Sequence, residues 1–269
     1  MVKTVDTLRD DLNGVSNAFL TARSECRHLD AYPGTVPVTL EDAYAIQSAS
    51  IAAWPADVIG WKIGGVAPSF QDRFTDTRIA GPVFSQKISQ GAAVVDMPVF
   101  EGGFAAVEAE FILKTKTAIT PGSVDVDTDD LAELIDQVFI GVEIASSPLA
   151  ALNDLGPCSI ISDFGNNNGV LLGDEVKDWR NRDISSNMIS VTINDELIGE
   201  TKATPLLDGA FGSFKFLIAK CAERGITLEA GSLVSTGAIT GVHKAKMGDV
   251  STISFGALGQ MNIELVKAS

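Results

Sequence analysis

Three glutamates stand as isolated charges in apolar segments of the sequence. Glu108 and Glu110 lie in FAAVEAEFIL, and Glu143 lies in VFIGVEIASS. Residues two apart on a strand point to the same face, so Glu108 and Glu110 would share a face opposite the intervening apolar residues. A solvated strand face is the alternative for this pair, whereas a lone Glu143 among Val and Ile needs a partner. The three carboxylates therefore predict a site for a hard divalent cation, which takes oxygen ligands.

Lys62 is the corresponding isolated cation, the only charge in the glycine-flanked segment VIGWKIGG. A lysine in such a place can hold a substrate carboxylate or, with a lowered pKa, transfer protons. The alternative is a lysine near a strand end whose ammonium group reaches solvent. We favour the functional interpretation.

The sequence lacks several other patterns of catalytic residues. His28 and His243 are far apart and in no metal-binding or catalytic spacing, and we expect His28 at the surface. Neither a GxSxG motif nor a phosphate-binding loop occurs, and GWKIGG lacks the GxGxxG spacing of dinucleotide-binding folds. The run SDFGNNNG at 162–169 is rich in turn formers and amide donors. It is either a plain loop or a source of hydrogen bonds to an anionic ligand.

Charge and composition restrict the kinds of partner. The 269-residue chain carries 35 acidic and 20 basic residues, a net charge of −15, which disfavours nucleic acids and anionic membrane surfaces. The same charge would repel a small anionic substrate unless a metal ion or a local cation inverts the field. We see no targeting peptide and no apolar run of the roughly 18 residues that span a membrane. The three cysteines form no CxxC pair, so we expect a cytoplasmic protein.

Helices are predicted at the beginning of the chain. Apolar residues at spacings of three and four predict an amphipathic helix between Thr4 and Arg27. Prolines and a glycine at 32–37 forbid its continuation. Thr39 is the predicted N-cap of a second helix, which ends before Pro55.

Strands are predicted for most of the remainder. From Val58 onwards, short segments rich in Val, Ile and Phe alternate with Gly and Pro. Two helical interludes are predicted, around Leu131–Val138 and around Leu206–Arg224, and Asn194–Asp195 is a predicted hairpin turn. The sequence thus predicts an α+β fold with a helical N-terminal segment, residues 1–55, packed on a mostly β domain, residues 56–269.

With these segments in hand, the chain resembles the 2-oxopent-4-enoate hydratase / 4-oxalocrotonate decarboxylase family of the fumarylacetoacetate hydrolase superfamily. The motifs that carry the resemblance span nearly the whole chain: AYAIQ, GWKIGG, VEAEF, GVEIASS, SDFGNNNGVLLG, LEAGSLVSTGAITG and MGDVSTISFGALGQMNIEL. The resemblance implies a mostly β core of the fumarylacetoacetate-hydrolase type and an active-site lysine at Lys62. It also implies that Mg²⁺ or Mn²⁺ is bound by Glu108, Glu110 and Glu143. We expect the substrate to contact Lys62, Asp163, Asn166, Asn167 and Thr236.

The sequence departs from the family pattern where the reaction is decided. Val83 follows Pro82 where hydratases usually have an acidic residue, and Asp163–Asn166 reads Asp-Phe-Gly-Asn in place of Asp-Asn-Ala-Ser. The helix after Pro205 lacks the usual Trp, and the His-x-x-Glu pair of the C–C bond hydrolases is missing near Lys62.

The resemblance implies a metal-dependent lyase for a small 2-oxo acid of aromatic meta-cleavage catabolism. We expect a hydratase that adds water to a 2-hydroxydienoate or 2-oxoalkenoate. The alternatives are a decarboxylase of 4-oxalocrotonate type, a C–C hydrolase of acylpyruvate type and a non-catalytic partner subunit. A homo-oligomer, and association with a related hydratase or decarboxylase, are further expectations.

Overall fold

The computed structural model describes residues 5–85, 94–204 and 209–269, without the side chains of residues 5–10. The helices are α1 (Val5–Ser24), α2 (Leu40–Ala53), α3 (Pro68–Gln71), α4 (Pro157–Ser162) and α5 (Ala210–Glu223). The strands are β1 (Val58–Gly65), β2 (Arg78–Phe84), β3 (Val95–Val99), β4 (Phe104–Thr115), β5 (Ile135–Ser147), β6 (Asn167–Glu175), β7 (Met188–Ile193), β8 (Glu196–Lys202), β9 (Leu233–Ser235), β10 (His243–Lys244), β11 (Val250–Ser254) and β12 (Gln260–Lys267).

The two N-terminal helices lie close to their predicted positions. Thr39 caps α2, because its hydroxyl accepts a hydrogen bond from the Asp42 amide at 3.2 Å. The apolar face of α1 packs through Phe19 on Ile46 of α2 and on Leu149 of the β domain. Thr4 and the side chains of Val5 and Leu8, which begin the predicted helix, lie outside the described residues.

The strands form two sheets. One has seven strands, in the order β2-β1-β9-β4-β5-β6 with β10 also paired to β4, and the other has the order β3-β12-β11-β7-β8. The alternation of side chains predicted for β4 is confirmed, because Val107, Ala109 and Phe111 belong to the main core. That core also contains Met97 of β3 and Ile253 of β11, so this face of β4 points towards the second sheet. An α+β fold with a mostly β core and a helical N-terminal segment is confirmed.

The predicted helix around Leu131–Val138 is wrong. A single 3₁₀ turn spans Leu131–Leu134, with the carboxylate of Asp130 accepting a hydrogen bond from the Ala132 amide, and β5 begins at Ile135. The apolar residues 131, 134, 135 and 138 have helical spacing. Sheet pairing overrides this local pattern, because β5 pairs with β4 as far as Ile135, with one register shift between Lys114 and Thr115.

The Asn194–Asp195 turn is confirmed. It joins β7 to β8, and both residues have positive φ angles, 51° and 66°, as a tight two-residue hairpin turn requires. The second helical interlude is α5, which begins at Ala210, and residues 206–208 of the predicted span lie outside the described part of the chain.

The division of the chain into a helical segment, residues 1–55, and a β domain, residues 56–269, stays a prediction. Contacts cross it, because the buried amide of Gln47 in α2 donates to the carbonyl oxygens of Ala80 and Ile161. Across residues 5–85, 94–204 and 209–269, no helix is both long and apolar enough to cross a membrane.

Candidate metal centre

Strand register brings the three glutamates together. Glu108 of β4 lies directly opposite Glu143 of β5 in the antiparallel pair, and Glu110 lies two residues further along β4. All three side chains are buried, and one carboxylate oxygen from each lies within 4.8 Å of those of the other two. They occupy the face of the sheet opposite the main core, as the alternation of side chains requires. The convergence expected from the sequence is therefore present in the fold.

Two of the carboxylates are only half satisfied by the protein. Glu110 Oε2 accepts hydrogen bonds from the Ser235 hydroxyl at 2.5 Å and the Gly237 amide at 2.9 Å, and Glu143 Oε1 accepts one from Asn167 Nδ2 at 3.0 Å. Among the described residues, Glu110 Oε1 and Glu143 Oε2 have no hydrogen-bond partner although both are buried. Buried carboxylate oxygens of this kind are costly without a cation. The donor set fits a hard divalent metal ion held by oxygen ligands.

Lys62 lies against this cluster. It stands on β1, next to β9, and its ammonium nitrogen is 3.3 Å from Glu143 Oε1 in the protein interior. Burial lowers the pKa of Lys62, but the charges of Glu143, Glu108 and Glu110 outweigh burial and hold the pKa above its usual value. This direction is opposite to the lowered pKa considered from the sequence, and proton transfer by Lys62 stays a prediction.

Burial and mutual repulsion favour protonated carboxyl groups in the metal-free cluster. Burial, followed by the charge of Glu143, raises the pKa of Glu108 to about 8, against the opposing charge of Lys62. Burial and the charges of Glu143 and Glu108 raise the pKa of Glu110 well above its usual range, although two hydrogen bonds oppose the shift. A divalent cation entering this site would therefore displace protons.

This displacement predicts that Mg²⁺ stabilises the protein more strongly at higher pH. An unfolded glutamate releases its proton near 4.5 and folded Glu108 near 8, so the folded metal-free protein binds more protons between these values. Its stability therefore falls as pH rises through this window, and the apparent Mg²⁺ affinity rises by up to about tenfold per pH unit for each displaced proton. Melting temperatures recorded at pH 5.5, 6.5 and 7.5, with Mg²⁺ and with a chelator, check this. A Mg²⁺-induced shift that is independent of pH would contradict it.

The loop that begins at Asp163 has an unusual backbone. Phe164, Gly165 and Asn166 are consecutively left-handed, with φ angles of 53°, 70° and 67°. Such conformations cost energy for residues other than glycine and persist only where surrounding contacts hold them. Gly81 permits the close approach of this loop to β2, because a Cβ there would lie 2.2 Å from the Phe164 carbonyl oxygen.

Arg23 holds this loop, and sequence reasoning missed it. Its guanidinium group forms a bidentate ion pair with Asp163, at 2.5 and 3.0 Å, with both side chains buried. It also donates to the carbonyl oxygens of Asn167 and Ser146. The available signal was its position four residues after Phe19, on the buried face of α1. Arg23 thereby fixes the start of β6, from which Asn167 reaches Glu143.

We expect Arg23→Met to lower the free energy of unfolding by about 3 kcal/mol or more, because it leaves the buried Asp163 carboxylate without its partner. Urea denaturation measures this. Arg27→Met is the matched control, since the Arg27–Glu25 pair is about half exposed and worth no more than about 1 kcal/mol. Asp163→Asn in the Arg23→Met background should recover part of the loss, and equal effects of Arg23→Met and Arg27→Met would refute the bracing role.

The other predicted site residues occupy different surroundings. Both carboxylate oxygens of Asp163 are engaged by Arg23. Asn166 is buried beside Asn153, with its side-chain oxygen lacking a partner among the described residues. Thr236 donates its hydroxyl to the Phe111 carbonyl oxygen at 2.8 Å. Contacts of these residues with a substrate stay predictions.

Val83 contributes an apolar neighbour to the cluster. It is buried with Ile112 and Val170, on the same sheet face as the glutamates. Ile112 lies two residues beyond Glu110, and Val170 lies opposite Glu143. Val83, at the position where the sequence comparison expects an acidic residue in hydratases, is thus part of a buried apolar surface beside the carboxylates.

A cavity of about 270 Å³ adjoins the carboxylate cluster on another side. Thr236 and Gly237 line it, and the amide of Gly237 is the group that binds Glu110. Gly64 lines it as well, and a Cβ on Gly64 would lie 3.3 Å from the Lys62 ammonium nitrogen. The cavity therefore lies next to Lys62 and Glu110, although neither residue lines it.

Comparison with known proteins identifies relatives of the fold. No protein-family model matches the chain, and no curated protein matches its sequence. 4-Oxalocrotonate decarboxylase from Pseudomonas putida G7, solved with calcium and acetate and with magnesium and adipate, superposes with a TM-score of 0.74 at 19% identity, over 96% of this chain and 98% of that one. A proposed fumarylacetoacetate hydrolase family protein from Yersinia pestis CO92 superposes with a TM-score of 0.53 at 15% identity, over 79% of this chain and 95% of that one. 2-Hydroxyhepta-2,4-diene-1,7-dioate isomerase from Mycobacterium marinum superposes with a TM-score of 0.51 at 15% identity, over 79% of this chain and 77% of that one. The chain thus has the fold of fumarylacetoacetate hydrolase family structures.

Proposed function

We propose that this protein is a metal-dependent lyase acting on a short 2-oxo acid. The observation that carries the proposal is the buried triad Glu108, Glu110 and Glu143, with two partnerless carboxylate oxygens and the Lys62 ammonium beside it. The P. putida decarboxylase, solved with magnesium and adipate, supports both the metal and an acidic organic ligand. Mg²⁺ is the first candidate and Mn²⁺ the alternative.

Each residue of the centre has a separate task in this proposal. Glu108, Glu110 and Glu143 hold the cation, which when bound supplies a Lewis acid for the 2-oxo group and adjoining carboxylate of the substrate. Asn167 orients Glu143, and Ser235 with Gly237 orients Glu110, through the hydrogen bonds described above. Lys62 holds a proton at its ammonium nitrogen and is the donor for a substrate carbon or oxygen. The apolar wall formed by Val83, Ile112 and Val170 excludes water from one side of the centre.

Two reactions fit this centre, hydration of a 2-hydroxydienoate and decarboxylation of a 2-oxo-3-enedioate. Hydration requires a placed water and a group that takes its proton. Val83 offers no such group, and both carboxylate oxygens of Asp163 are occupied by the ion pair with Arg23. Decarboxylation requires only charge stabilisation and one proton for the product carbon, which Lys62 can supply. We therefore place decarboxylation ahead of the hydration that the sequence favoured.

The experiment that tests the function offers the Mg²⁺-loaded protein three compounds: 2-hydroxypenta-2,4-dienoate, 2-oxohex-3-enedioate and an acylpyruvate. Ultraviolet absorbance follows each reaction, and mass spectrometry identifies the products. Release of CO₂ from the diacid supports decarboxylation, and uptake of water by the dienoate supports hydration. Cleavage of an acylpyruvate with neither of these activities would indicate the hydrolase alternative. Absence of Mg²⁺-dependent turnover with all three compounds contradicts the proposal and favours a non-catalytic subunit.

We also propose that the chain forms a homo-oligomer in the cytoplasm. Its three cysteines are free, which suits a reducing compartment. Leu197 and Ile198 of β8 are large apolar residues exposed at the end of the second sheet, and such groups are typical of interfaces. We expect light scattering to give a mass well above 28.3 kDa at micromolar concentration. A monomer would contradict this, and a mixed complex with a related hydratase or decarboxylase would extend it.

A further inference from the structure

The cavity beside the carboxylate cluster has a cationic group, Arg78, in its lining. Gly64 and Gly237 form the end nearest Lys62 and Glu110, and Arg78 is the only charged residue in the described lining. At about 270 Å³ the cavity is slightly below the ~300 Å³ at which pockets for drug-sized molecules begin, so it suits a small acid.

Arg78 lines this cavity and has no anionic partner among the described residues. It is the first residue of β2, pairs with Gly65 of β1 and is partly buried. Its guanidinium group reaches the first turn of α5, because a Cβ on Gly212 would lie 3.7 Å from Arg78 Nη2. In a chain with a net charge of −15, arginines at the surface readily find carboxylates. A guanidinium group that lines a cavity without one is suited to bind an incoming anion.

The start of α5 adds to the positive potential beside Arg78. Gly209 and Ala210 line the cavity, and Gly209 is the N-cap residue, without a side chain to bond the first-turn amide groups. Helix N-termini favour anions through these amides and the helix dipole. Arg78 and the first turn of α5 therefore act on the same part of the cavity.

We propose that Arg78 binds a second anionic group of the substrate, so that the protein selects 2-oxo acids with a terminal carboxylate. This inference rests on the proposed function, which places the 2-oxo acid end of the substrate at the glutamate cluster. Gly64 and Gly237, which adjoin Lys62 and Glu110, line the same cavity as Arg78. Arg78 is thereby the specificity-determining residue that separates dicarboxylates from monocarboxylates of equal length.

Titration calorimetry with two non-reacting acids tests the proposal. 2-Oxoadipate and 2-oxohexanoate both have six carbons and a 2-oxo acid end, and they differ only in the terminal carboxylate. In the presence of Mg²⁺ at pH 7.5, we expect the protein to bind 2-oxoadipate about tenfold more tightly or better, the usual scale of a charge-assisted hydrogen bond. Arg78→Met should reduce this ratio to about one, and Arg78→Lys should retain part of it. Arg27→Met removes the same charge from an exposed position and should leave the ratio unchanged.

The outcomes separate this inference from the proposed function. A preference for 2-oxoadipate that survives in Arg78→Met overturns the inference, and so does equal binding of both acids by the unaltered protein. In both cases the Mg²⁺-dependent binding of a 2-oxo acid stands, and the proposed function with it. Failure of both acids to bind in the presence of Mg²⁺ overturns the proposed function and the inference together. Melting temperatures of the variants, measured without ligand, verify that each is folded.

Discussion

Glu110→Gln is expected to weaken Mg²⁺ binding severely and leave the fold intact. Burial and the charges of Glu143 and Glu108 raise the pKa of Glu110 and so favour its protonated form in the metal-free protein, and glutamine has nearly the same shape as a protonated glutamate. The amide oxygen can accept the hydrogen bonds from Ser235 and Gly237 that the carboxylate now accepts. It cannot supply the negative charge that a hard cation requires. Changes to groups that merely orient metal ligands cost about 10–100-fold in affinity, so we expect a loss of about 100-fold or more here.

Calorimetric titration with Mg²⁺ and the melting temperature without metal are the two measurements for Glu110→Gln. Glu264→Gln is the matched control, because Glu264 is an exposed glutamate on a strand, distant from the cluster in sequence and outside it. The control should bind Mg²⁺ as the unaltered protein does. A Glu110→Gln protein with normal Mg²⁺ affinity would remove Glu110 from the metal centre, and one that fails to fold would show that its charge serves the fold.

Lys62→Met is expected to lower turnover by about 10²-fold or more, the usual scale for a positioned proton donor. Methionine replaces the buried stem of the lysine with a chain of similar length, so the packing against β2 and β9 is kept. The three carboxylates remain, and a cation no longer competes with the ammonium group for Glu143. We therefore expect Mg²⁺ binding to persist while turnover is lost, which is the opposite of a ligand substitution.

Steady-state turnover of whichever compound proves to be the substrate, combined with Mg²⁺ titration, distinguishes these effects. Lys116→Met is the control, since Lys116 is an exposed lysine outside the cluster, and it should retain full turnover. If Lys62→Met loses Mg²⁺ binding along with turnover, Lys62 acts by positioning Glu143. If it retains full turnover, the lysine serves only to neutralise a buried carboxylate.

The convergence of the three glutamates could be predicted from sequence because it needs only local periodicity and one strand pairing. Glu108 and Glu110 share a face by alternation, and an isolated charge such as Glu143 needs compensation wherever it lies. Arg23 was not predictable in the same way, because its partner Asp163 is 140 residues away and only the packing of α1 brings them together. Arg78 depends on β2, β1 and α5 meeting at one cavity, which no local pattern encodes. The helix predicted at Leu131–Val138 was wrong for a related reason. The local spacing of apolar residues is helical there, but long-range pairing with β4 makes residues from Ile135 onwards a strand.

The separation of core and centre on opposite faces of β4 and β5 has a consequence for how this chain can be altered. Even-numbered positions of β4 from Phe104 to Lys114 and odd-numbered positions of β5 from Gln137 to Ser147 lie on the carboxylate face, whereas their apolar neighbours in sequence fill the layer between the sheets. Beyond these spans the register shifts, and Ile135 belongs to the main core. A mutant library confined to the first set would explore new chemistries without changing the composition of that layer. Within these spans, the parity of a residue number separates positions beside the candidate centre from positions in the layer between the sheets.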